Sequence, residues 1–202
     1  MAINSYSTLC DAVGRWLYRD DLTAVIPDFI ALAESRINRD LRLRVMETSA
    51  TGTLSGSTIT LPADFGIAQR LSIQANSGIV ELRYVAPENI SKFSFGTNLP
   101  QMYTIIGGQI NVIPAPDGAY TYNLYYMTDI PHLSATQTTN WLILNAPDVY
   151  LYGSLLEAAP YLQDDARVPL WSQAYQEAVS SVQEIDDASR YPISSPLQMV
   201  AE

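Results

Sequence analysis

The chain has one histidine and one cysteine, the side chains best suited to metal or nucleophilic chemistry, and they stand far apart in the sequence. His132 lies in a Pro-His-Leu segment, and Cys10 lies in the first apolar segment. A zinc site needs three or four nitrogen, sulfur or carboxylate ligands, and a cysteine nucleophile needs a neighbouring base. The sequence around each residue offers neither. We therefore interpret His132 as a surface-loop residue and Cys10 as a small core residue.

A pair of carboxylates is a further route to catalysis. Asp164-Asp165 could work with Glu157 or Asp148 in a hydrolase that cleaves cell-wall polysaccharide. Helix capping, however, already explains the two adjacent aspartates. Gly107-Gly108 lies between two strand-like segments, which indicates a hairpin and not a phosphate-binding loop. The sequence thus predicts a protein without a metal, a cofactor or enzymatic activity.

Composition narrows the class of protein. The chain has 202 residues, of which 48 % are apolar and 16 % charged, as in a globular protein with one good core and a small second lobe. We expect no internal disulfide, no signal segment and no membrane span, and hence an intracellular product. The net charge is -10, and residues 145–202 hold nine Asp/Glu against two Lys/Arg. Such an acidic surface repels phosphate and disfavours sequence-independent binding of nucleic acid.

The apolar segment 140–162 predicts the central helix of the core. Asn145 can act as its N-cap, Pro147 fits the first turn, and Asp148 lies near the positive end of the helix dipole, so the helix should begin near Ala146. Apolar positions cover nearly its whole circumference, which predicts burial on more than one side. These positions include Val149, Leu151, Tyr152, Leu155, Leu156 and Ala158.

Three further helices are predicted around the central one. The first lies within residues 1–19, with Ser5 or Ser7 as its cap. The last begins after Asp164-Asp165 and ends near Ser189. The expected inward positions of these two helices are Leu9, Val13, Trp16 and Leu17 in the first, and Val168, Leu170, Trp171, Tyr175, Ala178, Val179, Val182 and Ile185 in the last.

The remaining helix is predicted from about Ile26 to Arg44. Its inward positions are Phe29 or Ile30, Ala33, Ile37 and Leu41. The opposite face carries Glu34, Arg36, Arg39, Asp40, Arg42 and Arg44. This arginine face is either a solvated face or a surface that docks on a partner, and arginine suits polar protein interfaces.

Residues 48–130 show period-two alternation, which predicts a β lobe. Glycine-containing turns at Ser55-Gly56-Ser57, Asn76-Ser77-Gly78 and Gly107-Gly108 predict three hairpins. Tyrosines alternate along the segment 119–127, so one aromatic face should pack inward. A short helix is expected near Pro87.

The predicted fold class is α+β. Residues 1–47 and 140–189 form a helical bundle, an antiparallel β lobe is inserted at 48–130, and residues 131–139 connect it back. An extended C-terminal arm follows at 190–202, where two prolines disfavour a helix. Its apolar side chains have no evident partner within the chain, so the arm should order only on binding. They are Tyr191, Ile193, Leu197, Met199 and Val200.

Four blocks of sequence occur in an order that resembles one family. They are STLCDAVGRWLYRDDLTAVIPDFIALAESRINRDLRLR at 7–44, LPADF at 61–65, LPQMYTIIGGQINVIPAPDGAYTYNLYYM at 99–127 and NWLILNAPDVYLYGSLLEAAPYLQDDARVPLW at 140–171. The chain is similar in these blocks to the head-to-tail adaptor (connector) proteins of tailed double-stranded-DNA bacteriophages. None of the blocks is a catalytic signature.

The resemblance implies a structural virion protein. Its implied place is the neck of the virion, after synthesis in the host cytoplasm, as a ring beneath the portal that joins the capsid to the tail. The implied partners are the portal protein, a tail nozzle or tail-tube protein, and other copies of the chain, roughly twelve if the ring follows the portal's cyclic symmetry. DNA would only pass through the channel, and no membrane is involved. We expect the portal and subunit contacts on Arg36, Arg39, Arg42, Arg44 and the five apolar residues of the arm.

A second function remains open on the sequence alone. Tyrosine-rich sheet faces also stack on sugars, so the β lobe could belong to a carbohydrate- or receptor-binding tail module.

Overall fold

The structure, a computed structural model, describes residues 2–19, 21–76, 78–92, 96–162 and 166–190. They form two compact units. The helical unit comprises the described residues up to Val45 and from Ile130 onward, and the β unit comprises those within Met46–Asp129. The β unit is inserted between helices, which confirms the predicted α+β fold with a β lobe.

The helical unit contains five helices. They are α1 (Tyr6–Leu17), α2 (Ile26–Asp40), α3 (Trp141–Asn145), α4 (Pro147–Leu162) and α5 (Val168–Arg190). Within the described ranges, no helix has both the length and the apolar character needed to cross a membrane.

Helix α1 begins at a capping box. The Thr8 backbone N–H donates to Ser5 Oγ at 3.4 Å, and the Ser5 N–H donates to Thr8 Oγ1 at 3.0 Å, so Ser5 and not Ser7 is the cap. The helix ends at Leu17 because Tyr18 adopts the left-handed conformation, with φ 55°. Trp16, predicted to point inward, is 43 % exposed and packs edge-on against Tyr152.

Helix α2 is shorter than predicted. It ends at Asp40, where Leu41 takes an extended backbone, and so it does not reach Arg44. Its expected inward positions are buried, and Phe29 and Ile30 both belong to them. Glu34, assigned to the polar face, is also buried, and that assignment was wrong.

The central helix α4 begins at Pro147, next to the predicted start. Its predicted cap was wrong. Asn145 is the last residue of the short helix α3, and its Nδ2 donates back to the Trp141 carbonyl at 2.7 Å. The asparagine that acts as an N-cap is Asn140, which accepts from the Ile143 N–H at 3.0 Å and starts α3.

Burial around α4 is less even than its sequence predicts. Leu155 is fully buried, as are Val149, Gly153 and Ala158, whereas Tyr152 and Leu156 are only half-buried. Gly153 lies where α2 and α5 pack against α4, since a Cβ there would be at contact distance, 3.4 Å, from Ala33 of α2 and from the Tyr175 ring of α5.

Helix α5 buries four of its predicted inward residues, Trp171, Tyr175, Ala178 and Val182. Leu170 and Ile185, predicted to face inward, are exposed. The predicted caps Asp164-Asp165 and the C-terminal arm from Tyr191 onward lie outside the described residues.

The β unit contains one seven-stranded sheet of order β1-β7-β3-β4-β5-β6-β2. The strands are β1 (Glu47–Leu54), β2 (Thr58–Thr60), β3 (Phe65–Ala75), β4 (Gly78–Tyr84), β5 (Met102–Ile106), β6 (Gln109–Ile113) and β7 (Tyr120–Thr128). All neighbours are antiparallel except β4 and β5, which are parallel, a departure from the predicted antiparallel lobe. A 3-10 helix at Pro87–Lys92 lies in the long crossover that such a parallel pair requires.

Two of the three predicted hairpins are confirmed. β3 pairs with β4, and β5 pairs with β6 across Gly107-Gly108, whose φ angles are 59° and 77°. The hairpin predicted across Ser55-Gly56-Ser57 is wrong, because β1 pairs with β7 and β2 pairs with β6 at opposite ends of the sheet. An extended chain spans at most about 3.5 Å per residue, so this short loop keeps the ends of β1 and β2 within about 14 Å. The sheet must therefore curl until its two edges approach.

The core of the β unit lies on the inner face of this curl. Leu124 and Tyr126 of β7 are buried in it, with Tyr120 and Tyr122 packed alongside, which confirms the predicted alternation of β7. The other buried members are Leu54, Ile59, Leu71, Ile73, Leu82, Tyr103, Ile110 and Val112.

Candidate interaction surfaces

Glu34 is the centre of a polar cluster inside the helical unit. Its side chain is only 4 % exposed, and its Oε2 lies 2.8 Å from His132 Nδ1. Its Oε1 accepts from the Leu133 N–H at 2.6 Å and from the Tyr150 hydroxyl at 3.4 Å. These contacts satisfy a buried carboxylate that would otherwise be costly. His132 is an exposed loop residue, as predicted, but it has an acidic partner that lies 98 positions away in the sequence.

Asn140 and Tyr150 complete this cluster. Asn140 Nδ2 donates to the Pro131 carbonyl at 2.7 Å and to the Tyr150 oxygen at 2.6 Å. Burial raises the pKa of the Tyr150 hydroxyl, so the hydroxyl keeps its proton and can donate to Glu34. The arrangement ties the segment 131–140 to α2 and α4. Among the described residues, no group of three or more His, Cys, Asp or Glu side chains could hold a metal ion.

The other residues considered for catalysis have ordinary structural contacts. Glu157 is paired with Arg36 at 2.6 Å, and Asp148 Oδ1 accepts from the Val149 N–H at 3.1 Å. Burial raises the pKa of the Cys10 thiol, which disfavours the thiolate that a nucleophile requires. Asp165 lies outside the described residues.

Three of the four arginines of the predicted arginine face are used inside the helical unit. Arg36 binds Glu157 of α4, and Arg42 donates to the carbonyls of Asn38 and Leu41, where α2 ends. Arg44 contacts Asp186 and Ser189 of α5. The links that Arg36 and Arg44 make to other helices could not be predicted from helical spacing, because Glu157 and Asp186 lie more than a hundred positions away in the chain.

Arg39 differs from the other three arginines. It is exposed on α2 and has no hydrogen bond or ion pair to any part of the chain that the structure describes. It is therefore the guanidinium of this face that is available to a partner. The five apolar residues of the C-terminal arm, the other predicted contacts, lie outside the described residues.

Two surface cavities of the helical unit were not predicted. One, of about 440 Å³, lies at the end of α1 and the start of α5 and includes Trp16, Tyr18 and Leu170. The other, of about 470 Å³, includes Trp141 and Ile185 and reaches Ser189 near the end of α5. The signal in the sequence was present but misread, because Trp16 and Ile185 were assigned to the core by helical spacing alone.

The tyrosines of the β unit serve mainly in packing. Tyr103 and Tyr126 are buried, and the Tyr126 hydroxyl donates to Asp64 at 2.9 Å. On the outer face, the Arg70 guanidinium lies 4.4 Å from the centre of the Tyr125 ring, a cation–π contact that covers this ring. Both residues line a surface cavity of about 390 Å³.

Comparison with known proteins places the whole arrangement in one family. The family model described as SU10 adaptor protein matches residues 4–199, a range that takes in both units. No curated protein matches the chain. Because the matched range covers nearly all of the chain, the chain belongs to the SU10 adaptor protein family, and it is a structural adaptor protein of a bacteriophage.

Proposed function

We propose that the protein is a ring subunit at the junction of head and tail, which docks under the portal and connects the capsid to the tail. The family match over residues 4–199 carries this proposal, because it spans both units and leaves neither of them for a separate activity. The ring contains roughly twelve copies, in keeping with the cyclic symmetry of a portal. Its centre is a channel for DNA, and the net charge of -10 disfavours adhesion of DNA to the protein as it passes.

Two surfaces make the proposed contacts. The first is the arginine face, on which Arg39 meets acidic surface of a neighbouring subunit or of the portal. Subunits of the same net charge need opposite patches to associate, and Arg39 is the exposed cation of this face without a partner of its own in the described chain. Arg36 supports this surface by joining α2 to α4, Arg42 by satisfying carbonyls at the end of α2, and Arg44 by joining the segment after α2 to α5.

The second surface is the C-terminal arm, residues 190–202, which inserts between portal subunits. Its two prolines and its apolar residues suit an extended segment that orders on a partner, at a cost of about 1 to 2 kcal/mol per residue. A large complementary surface must offset that cost. The ring accordingly forms on the portal and not in free solution.

The alternative, a carbohydrate-binding module, draws no support from a specific observation. Most of the tyrosines that suggested it pack in or against the core of the β unit, and the Tyr125 ring is covered by Arg70. A cell-wall hydrolase based on Glu157 would need that carboxylate released from its ion pair with Arg36.

Electron microscopy of the protein mixed with purified portal rings tests the proposal directly. Negatively stained particles should show added density on one end of the ring, and the protein alone should remain largely monomeric. Portal rings that remain bare at saturating protein concentration would contradict the proposed function.

Variants then separate the two contact surfaces. A truncation after Arg190 should keep the fold yet fail to join portal-bearing heads. Arg39→Glu should weaken binding to the portal and reduce its dependence on salt, whereas the matched reversal Arg83→Glu, at an exposed position of the β unit, should change neither. If Arg39→Glu behaves like Arg83→Glu, the arginine face is only a solvated face.

A further inference from the structure

Helix α5 carries an apolar stripe that continues beyond the residues that cover it. Trp171, Tyr175, Ala178 and Val182 follow one another at intervals of three or four residues, and all four are buried. Ile185 is the next member of this stripe, yet it is 68 % exposed. A helix normally buries such a stripe against its neighbours. Within the described residues, the last turns of α5 therefore present an apolar face without a cover.

This face belongs to the cavity of about 470 Å³ that contains Ile185. Trp141, the first residue of α3, and Val45 line the same cavity, and both are exposed. One wall is fixed by the Arg44 N–H, which donates to the Asp186 carboxylate at 3.1 Å and so joins the segment after α2 to α5. The volume falls within the roughly 300 to 1,000 Å³ of pockets that bury small ligands. The helical unit thus contains a formed apolar site with room for one or two side chains.

The chain itself leaves the helical unit beside this cavity. Ser189 lines the cavity, and α5 ends one residue later, at Arg190. An extended chain spans at most about 3.5 Å per residue, so the Cα of Tyr191 is within about 7 Å of the Ser189 Cα, and that of Ile193 within about 14 Å. Pro192 disfavours helical backbone at Tyr191, and in an extended segment Tyr191 and Ile193 point to the same side. Two apolar side chains therefore follow the helix within reach of the cavity.

We infer that this cavity is the anchor site of the C-terminal arm, and that Tyr191 and Ile193 of the same chain fill it. Apolar residues that follow a helix commonly pack back on its last turns. The covalent link favours this occupant over a segment of another molecule, because a short tether gives an effective concentration on the order of millimolar. Leu197, Met199 and Val200 then remain for the portal. The inference rests on the proposed function only for the role of these three distal residues.

The anchor site divides the arm into two parts with different tasks. The first part fixes where the distal part leaves the helical unit, and fewer residues then have to be ordered on the portal. The sequence alone predicts that the whole arm lacks a partner within the chain. The cavity could not be predicted in that way, because it combines α3, α5 and the segment after α2, which lie far apart in the sequence.

Disulfide trapping tests the inference in the free, full-length protein. Ile185→Cys is combined with Ile193→Cys in a Cys10→Ser background, and the control combines Ala188→Cys with Ile193→Cys. Ala188 is exposed at the same end of α5, is closer to Ile193 in the chain and is not among the residues that line the cavity. In an unanchored arm the shorter loop of the control closes at least as fast. With the anchor, the pair at 185 and 193 should close at least about tenfold faster than the control.

Denaturing gel electrophoresis without reductant separates closure within one chain from linkage between chains. Equal or faster closure of the control pair would mean that the arm is not anchored, and would overturn the inference. Disulfide-linked dimers as the main product would identify a second copy as the occupant and would also overturn it.

Truncations provide a second readout at the cavity. Trp141 is 41 % exposed, and a Trp16→Phe background leaves only the buried Trp171 beside it as a fluorophore of the same kind. Acrylamide quenching of Trp141 should be equal in the parent and in a chain that ends at Ser195. It should be about twofold stronger in a chain that ends at Arg190, because the indole loses the contacts that cover it. Equal quenching in all three chains would overturn the inference.

The same truncations keep the anchor site distinct from the portal contact. The chain that ends at Ser195 should fail to join portal-bearing heads, although its cavity remains covered. A chain of this length that joined heads normally would refute the portal contact of the distal residues. Stronger quenching of Trp141 in that chain than in the parent would instead overturn the anchor site.

Discussion

Different kinds of polar bond join the elements within the helical unit and the elements within the β unit. Between helices, side chains form the links: Arg36 with Glu157, Tyr175 with Asp40, and Arg44 with Asp186. Between strands, the backbone forms them, in an antiparallel ladder that covers all eight residues of β1 and most of β3. A helix uses its backbone bonds internally, so neighbouring helices must be aligned by side chains, whereas strands align through the backbone itself.

The two units are therefore sensitive to different kinds of substitution. The helical unit should respond most to loss of a buried side chain, apolar or polar, and the β unit should respond to changes that displace its strands. Each expectation can be tested with pairs of variants that differ in one structural variable.

The largest effect is expected at the centre of α4. Leu155 is fully buried and its neighbour Leu156 is only half-buried. Leu155→Ala should lower the free energy of unfolding of the helical unit by about 2 to 5 kcal/mol, because it leaves a cavity, and Leu156→Ala should lower it by clearly less. Urea denaturation followed by circular dichroism at 222 nm measures both. Equal losses would mean that α4 is buried on all sides, as its sequence alone suggested.

Loss of Glu34 should have the next largest effect. Glu34→Ala leaves the buried Leu133 N–H without its acceptor, which should cost about 1 to 3 kcal/mol. His132→Ala removes the other partner, but the His132 side chain is 64 % exposed, so that loss should stay below about 1 kcal/mol. Thermal unfolding of the two variants beside Glu184→Gln, at an exposed site of α5, makes the comparison. A larger loss at His132 than at Glu34 would show that the histidine, and not the buried carboxylate, anchors the segment 131–140.

The Glu34 cluster also shows why part of the molecule was not predictable from sequence. Glu34 was grouped with Arg36 because both are charged, although its spacing from Ile30 and Ile37 puts it on the inward face. In the fold, Glu34 meets Leu133 and Arg36 meets Glu157, 99 and 121 positions away. Long-range polar partners depend on how the helices pack, so local periodicity cannot identify them.

What the sequence did predict was decided locally. The Ser5 cap, the start of α4 at Pro147, the turn at Gly107-Gly108 and the alternation of β7 each depend on a few adjacent residues. The hairpin between β1 and β2 failed for the opposite reason. Alternation identifies a strand but not its partner, and the partner of β1 is β7, which follows it by more than sixty positions.

The burial of two tyrosines predicts that the helical unit loses stability at alkaline pH. Burial raises the pKa of Tyr150 and of Tyr175, and for Tyr175 the bond to Asp40 adds to the effect. In the unfolded chain these hydroxyls lose their protons near pH 10, whereas in the folded protein they retain them. The stabilisation is therefore complete below about pH 10 and is lost as the pH rises further, by about 1.4 kcal/mol per pH unit for each tyrosine.

Denaturation at pH 8 and pH 11 measures this loss. Tyr175→Phe should lower stability at pH 8, because Asp40 loses its donor, but it should flatten the decline towards pH 11. Tyr161→Phe, at an exposed position of α4, is the control and should leave the slope unchanged. If the free energy of unfolding fell equally with pH in the Tyr175→Phe variant and in the parent, the bond from Tyr175 to Asp40 would not be a cause of the loss of stability at high pH.

The smallest predicted effect lies in the β unit and concerns the spacing of strands. Gly52 of β1 lies under the Tyr122 ring of β7, whose atoms come within 2.8 Å of the position of an added Cβ, whereas nothing lies within 4 Å of that position at Gly56 in the following loop. Gly52→Ala must push the ring aside and should cost about 1 kcal/mol, and Gly56→Ala should stay within about 0.5 kcal/mol of the parent. Because the displaced ring belongs to a core strand, the Gly52→Ala variant should also speed amide exchange in β7, which nuclear magnetic resonance can follow residue by residue. Unchanged stability and exchange would show that Tyr122 rotates away freely, and that the backbone ladder alone fixes the distance between β1 and β7.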